Sequence, residues 1–136
     1  MQNLFVSEED EFTIKFTVAV NDDGVVFCDM NKDSLIESFG DRVSSLEIKD
    51  YSAVFKKPSF GDSVELYDSI FSLTNGVDVN FNPIMVRYNK IAALIKSWDL
   101  QETEGKPSED DIRKLHPTIA TVIGIQVDQE TGGIFG

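Results

Sequence analysis

The 136-residue chain has one cysteine, one histidine and one tryptophan. A lone cysteine forms no internal disulfide and no cysteine-rich metal site. A lone histidine leaves little room for imidazole metal clusters or for a nucleophile–histidine–carboxylate triad. Basic residues are also scarce, with 12 against 24 acidic ones and a net charge of -12. A protein that tracks phosphates needs the opposite sign, so nucleic acid is not expected as a partner. No apolar run reaches the roughly 18 residues of a membrane span. The opening MQNLFVSEEDEF lacks the basic-then-apolar layout of a secretory signal. Gly24, Gly40, Gly61 and Gly76 stand alone, so no glycine-rich phosphate loop is present. What the chain does hold is 41% hydrophobic and 10% aromatic residues, enough for a core and too much for wholesale disorder.

The apolar pattern changes near residue 60. Before it the period is mostly two; after it the period is close to 3.6. Over residues 12–20, Phe12, Ile14, Phe16, Val18 and Val20 alternate with Thr13, Lys15, Thr17 and Ala19. That is a strand with one face inward. Asn21, Asp22, Asp23 and Gly24 make a turn, and residues 25–28 read as the return strand of a hairpin. Residues 33–39 predict a short helix closed by Gly40. Leu46, Ile48, Tyr51, Ala53 and Phe55 predict a further strand, with a break or bulge near Asp50 where the alternation slips. Pro58 ends it.

The remainder reads as helical. Asp62 or Ser63 can cap a helix carrying Val64, Leu66, Tyr67, Ile70 and Phe71, ended by Thr74, Asn75 and Gly76. Asn82-Pro83 is a capping side chain followed by proline at the first helical position. From there Ile84, Tyr88, Ile91, Ile95 and Trp98 share one stripe, widened by Met85, Ala92 and Leu94; Arg87, Asn89, Lys90 and Lys96 fall mostly off it. The helix is expected to run to Trp98. After a polar linker over 101–107, Ser108 and Asp111 have capping-box spacing, and His116-Pro117 interrupts the helix they start. Ile119, Val122, Ile123 and Val127 give the final helix its buried stripe. The organisation expected is a β-rich region over 1–60, a helical region over 61–130 and a flexible glycine-rich tail over 131–136. The fold class is α+β: an antiparallel sheet region followed by two or three helices.

Candidate chemistry is sparse. Asp29, Asn31 and Asp33 match the start of an EF-hand loop, but Ser34 and Gly40 occupy the positions that need glycine and glutamate. A turn capping a helix is the better reading. The acidic run from Glu8 to Glu11 reads as a hydrated edge. The first fifty residues carry 12 acidic and 4 basic side chains, a balance of -8. His116 is expected to cap the helix break, and Cys28 to be a buried structural thiol. No catalytic, metal or cofactor-binding residue is assigned. Trp98 is an anchor of the core or of a helix contact, its indole N–H expected to find an acceptor.

From residue 51 onward the order of features resembles a family. A strand ends in Phe55, Lys56, Lys57 and Pro58, with Gly61 and Asp62 just after. Arg87 begins a run that closes on Leu94, Ile95, Lys96, Ser97, Trp98, Asp99 and Leu100. A Gly105, Lys106, Pro107 linker, an acidic cap, and a helix with Leu115, His116 and Pro117 follow. Over residues 51–127 this is similar to the small tail-assembly chaperones and related tail morphogenesis proteins of long-tailed bacteriophages. The hairpin and the tail lie outside the resemblance. It implies a non-catalytic role in the infected host's cytoplasm, as a chaperone or as a component retained in the virion. The partners it implies are tape-measure, tube or baseplate subunits, or further copies of the chain within an assembly. The contact residues expected are Tyr88, Trp98 and the edges of the 83–98 helix, with Ile134 and Phe135 as a second anchor. The competing reading, motivated by charge alone, is an acidic mimic of DNA that occupies a host protein's nucleic-acid groove.

Overall fold

The computed structural model describes residues 4–73, 83–101 and 105–132. Strand β1 (Glu11–Val20) is followed by β2 (Val26–Asp29), helix α1 (Lys32–Phe39), a 3₁₀ turn (Gly40–Ser45) and β3 (Glu47–Lys56). Helices α2 (Phe60–Leu73) and α3 (Pro83–Leu94) come next, then β4 (Ile95–Trp98), α4 (Glu109–Arg113) and α5 (Pro117–Glu130). The class is α+β. The four strands form one antiparallel sheet in the order β2-β1-β3-β4. Among the described residues no helix is long and apolar enough to cross a membrane.

The hairpin turn forms because Asn21 serves it twice. Its side-chain oxygen accepts from the backbone N–H of Asp23 and of Val25, and Gly24 takes φ +78°. Asn31 caps α1 by accepting from the Ser34 N–H, so the Asp29, Asn31, Asp33 run does become a helix cap. Gly40, at φ +56°, closes that helix. The cap of α2 is Ser59, three residues before the expected start. Its hydroxyl accepts from Asp62 N–H, while the Asp62 carboxylate accepts from Ser59 N–H. The Thr74, Asn75, Gly76 stop lies outside the described residues, as do the side chains of Tyr67, Ile70 and Phe71.

Two expectations need correction. β3 pairs with β1 without a register shift from Glu47 to Lys56, so there is no bulge near Asp50. The parity slips because the buried face changes. Ile48 and Phe27 flank Ala19 on the reverse side of the sheet, where Leu35 of α1 is buried and Phe39 meets Phe27 edge-on at 4.7 Å. Tyr51, Ala53 and Phe55 face the main core with Phe16, Ile14 and Phe12. Both faces of β1 are therefore covered at its far end, which is why Thr17 and Ala19 are buried along with Phe16 and Val18. The real irregularity lies on the β4 side of β3, between Val54 and Phe55.

Second, the 83–98 helix does not exist at that length. α3 stops at Leu94, and Ile95–Trp98 is a strand paired with β3. The sheet thus takes its fourth strand from within residues 61–130. Ile95 and Trp98 are both buried, and a three-residue spacing satisfied a helical stripe and a strand end alike.

The main core joins the sheet's inner face to Ile91 and Leu94 of α3, Ile112 of α4, and Ile123 and Val127 of α5. α3 and α5 pack closely at Gly124. A Cβ there would lie 2.9 Å from Arg87 Cδ and 3.2 Å from Arg87 Cβ. Gly124→Ala should therefore lower stability by about 1 kcal/mol, since overpacking of about 1–3 kcal/mol exceeds the helix-propensity gain of about 1. Gly61→Ala, where the nearest contact is Ser59 Oγ at 3.8 Å, should be neutral or stabilising. Urea unfolding of the pair checks the contrast.

Candidate functional site

The break at His116-Pro117 shapes the feature most suited to binding. Pro117 starts α5, and the His116 ring nitrogen Nδ1 accepts from Thr118 N–H at 3.2 Å, so histidine caps the helix as expected. Ser108 and Asp111 form the capping box that starts α4. Two short-range signals thus turn the chain sharply, and α4 and the first turn of α5 face α3 across a groove. Ile84, Tyr88 and Ile91 line one wall, at successive turns of α3. Ile112, Leu115, Pro117, Ala120 and Thr121 line the other, with Arg87 and Arg113 also at its walls.

The groove is mostly apolar and holds about 270 Å³. That is just under the range of about 300–1,000 Å³ usual for small-molecule sites. It suits one or two side-chain anchors of a polypeptide. Ile84 at its mouth is 74% exposed and Met85 beside it 44%. Tyr88 is half-buried. Its hydroxyl accepts from Arg113 Nε at 3.3 Å, and the guanidinium stands 5.6 Å from the ring centroid. The Tyr88 hydroxyl, joined by the charges of Glu109 and Asp110, pushes the Arg113 pKa up, so this cation stays charged.

Two further hollows are more polar. One, of about 380 Å³, is lined by Lys56, Asp62, Glu65, Asn89 and Glu109 among others. Lys56 and Asp62 pair across 3.2 Å, and Asn89 Nδ2 is buried without a hydrogen-bond partner. The other, of about 370 Å³, surrounds Asp50, whose carboxylate accepts from Thr17 Oγ1 at 2.7 Å and pairs with Lys32 at 3.5 Å. Among the described residues no group of three or more histidine, cysteine or acidic side chains is placed to hold a metal ion.

Carboxylates with perturbed acidity are engaged in structure. The Ser59 backbone N–H lowers the pKa of Asp62, and the Ser108 backbone N–H lowers that of Asp111. The Thr17 hydroxyl does the same for Asp50. Each lies below the usual 3.8. A depressed carboxylate contributes stability that is complete above its unfolded pKa and is lost as pH falls through the folded one. The urea midpoint should therefore fall between pH 5 and pH 2. The loss should be shallower in Asp62→Asn/Asp111→Asn, which has already given up both ionised caps. Cys28 moves the other way. Partial burial, with the neighbouring Asp29 charge, pushes its thiol up to about 11 and holds it protonated.

The expected contact residues do not come together. Tyr88 lies on the groove wall. Trp98 is 8% exposed, sits opposite Ala53 in the sheet and belongs to the core, so it presents no face to a partner. Its Nε1 has no hydrogen-bond acceptor, contrary to expectation. Ile134 and Phe135 lie outside the described residues. Ile84, placed by periodicity on the buried stripe, is instead exposed, and α3 buries Val86 and Lys90 along with the expected Ile91 and Leu94. The helix break was the one sequence signal that could have found Ile112, Leu115 and Thr121 as a second wall.

Lys90 is the other residue that periodicity misplaced. It is 2% exposed, with Nζ 3.2 Å from Asp128 Oδ1 and 3.0 Å from Thr131 Oγ1. Arg87 Nε reaches the other Asp128 oxygen at 3.4 Å. This cluster ties α3 to the C-terminal half of α5, so the groove's long wall is held by charge as well as by packing.

Comparison with family models, with characterised proteins and with solved structures returned no match.

Proposed function

We propose that the chain is a non-catalytic tail morphogenesis protein of a long-tailed bacteriophage, acting by binding another polypeptide in the groove between α3, α4 and α5. The observation that carries the reading is the groove itself. It is apolar, slightly smaller than the usual small-molecule site, and opens beside exposed Ile84 and Met85. Helix-in-groove and strand-in-groove recognition use such a feature, with a few apolar anchors inside and charges at the edge. The net charge of -12 keeps a protein with exposed apolar side chains in solution. The phage assignment rests on the resemblance over residues 51–127.

The test is co-expression with the tape-measure, tube and baseplate subunits encoded beside the gene, followed by purification of complexes. One of these subunits should co-purify with the wild-type chain and be lost with Ile84→Asp/Thr121→Glu. Both substituted residues are exposed, so the variant should keep the wild-type melting temperature. No complex with any of the three, or a complex indifferent to the groove substitutions, would refute the proposal.

A further inference from the structure

The chain's only histidine sits at the turn that builds the groove. His116 lies between Leu115 and Pro117, both of which line it. Two of its polar groups start α5. The carbonyl accepts from Ala120 N–H at 3.0 Å, and ring Nδ1 accepts from Thr118 N–H at 3.2 Å. Pro117 has no N–H, so Thr118 holds the first free donor of the helix. An imidazole accepts at Nδ1 only while that nitrogen is unprotonated and the ring's proton is on Nε2. The cap therefore belongs to the neutral ring. Serine and asparagine, among the usual caps, carry no such condition.

The surroundings offer an imidazolium little. Protonation at Nδ1 sets two N–H donors against each other at the positive end of the α5 dipole. The first turn of α5 holds no acidic residue. The carboxylates of α4 are engaged elsewhere: Asp111 closes the capping box, and Glu109 and Asp110 act on Arg113. Arg113 and Lys114 precede His116 in the chain, and Arg87 stands on α3 at the groove. Opposing these cations is Asp29 of β2, which lines a hollow together with Thr118. Histidine is the side chain whose ordinary titration falls between pH 5 and 8. Across that interval Asp50, Asp62 and Asp111, with pKa values below 3.8, stay ionised, and the Cys28 thiol, at about 11, stays protonated.

We infer that His116 is a proton-operated latch on the groove: its neutral ring holds the first turn of α5, with Pro117, Ala120 and Thr121, against α3, and protonation loosens that wall. The inference rests on the reading of the groove as a polypeptide site and adds its regulation. A polypeptide in the groove is held more tightly at neutral than at mildly acidic pH. The sign follows from the cap. Its contribution is complete while the ring is neutral and is lost as pH falls through the ring's titration.

NMR of the free chain between pH 8 and pH 5.5 tests the latch without a partner, so its failure is separate from failure of the function proposed above. The His116 ring carbons, the Thr118 amide and the methyl groups of Ile84, Leu115 and Ala120 should move together in one transition. The methyls of Leu35, on the reverse face of the sheet, should stay in place. His116→Asn caps without titrating, and in that variant the Thr118 amide and the groove methyls should not move. The folding equilibrium constant of wild type relative to His116→Asn, from urea unfolding, should fall about three- to tenfold from pH 8 to pH 5.5, the weight of one helix cap. The complex obtained by co-expression should weaken by a similar factor with wild type and by less than twofold with His116→Asn. A ring that titrates while the Thr118 amide or the groove methyls stay still would overturn the inference. So would a transition that survives in His116→Asn, or a complex whose pH response is the same in both proteins.

Discussion

Asp128→Ala is expected to destabilise the protein by about 3–5 kcal/mol, the cost of taking the opposing carboxylate from a buried cation. Lys90 is 2% exposed, and its ammonium faces Asp128 Oδ1 at 3.2 Å. The two atoms meet at a distance suited to attraction between charges, although Oδ1 makes no hydrogen bond there. Removing the carboxylate takes the opposing charge from an ammonium that is nearly sealed from water, and the Thr131 hydroxyl is a neutral acceptor that cannot replace it. Arg87, about one third exposed, can turn to solvent and loses far less. Removing both charges together, in Lys90→Met/Asp128→Ala, should recover most of the loss, because an apolar side chain of similar length tolerates the buried Lys90 site. A double-mutant cycle by urea unfolding measures the difference. A cost under about 1 kcal/mol for Asp128→Ala would mean that Lys90 is hydrated in solution and the cluster is loose.

Trp98→Ala is the second large effect, at about 3–5 kcal/mol. The indole is 8% exposed, lies opposite Ala53 and packs in the core with Phe55, Leu94 and Ile95. Truncation would open a cavity between the sheet and the helices. Trp98→Phe should cost less than half as much. It keeps an aromatic body and discards an N–H that has no acceptor, which offsets part of the lost volume. Thermal and urea unfolding should rank wild type, phenylalanine and alanine in that order. A Trp98→Ala protein as stable as wild type would place the indole on a surface and not in the core.

Local chemistry was the readable part of the sequence. β1, the Asn21 turn, α1 with its Gly40 stop, the Ser108–Asp111 box and the His116-Pro117 break are all set by neighbours within a few residues. The misreadings share one cause, which is tertiary cover. Ile48 and Tyr51 differ in parity because α1 covers one face of the sheet and α3 with α5 the other. Ile95 and Trp98 continue an apolar stripe, yet Ile95 pairs with Phe55 and Trp98 with Ala53, and pairing decides that segment. Lys90 reads as a surface residue until Asp128, 38 positions later in the chain, comes against it.

The groove was half legible for the same reason. Tyr88 was readable as a contact residue from its helix, and the structure places it on the groove wall. Ile112 and Thr121 become part of the same feature only once the break between α4 and α5 folds them over α3. Arg113 owes its place to the Tyr88 hydroxyl and ring, a contact across 25 residues that no local pattern encodes.

Hydrogen–deuterium exchange of the chain, free and in complex with the tail subunit that co-purifies with it, tests the central claim most directly. Binding should slow exchange in the first two turns of α3 and across the junction of α4 and α5, and leave the β2 edge and α1 unchanged. Protection confined to the hairpin or the reverse face of the sheet, with the groove still exchanging freely, would contradict it.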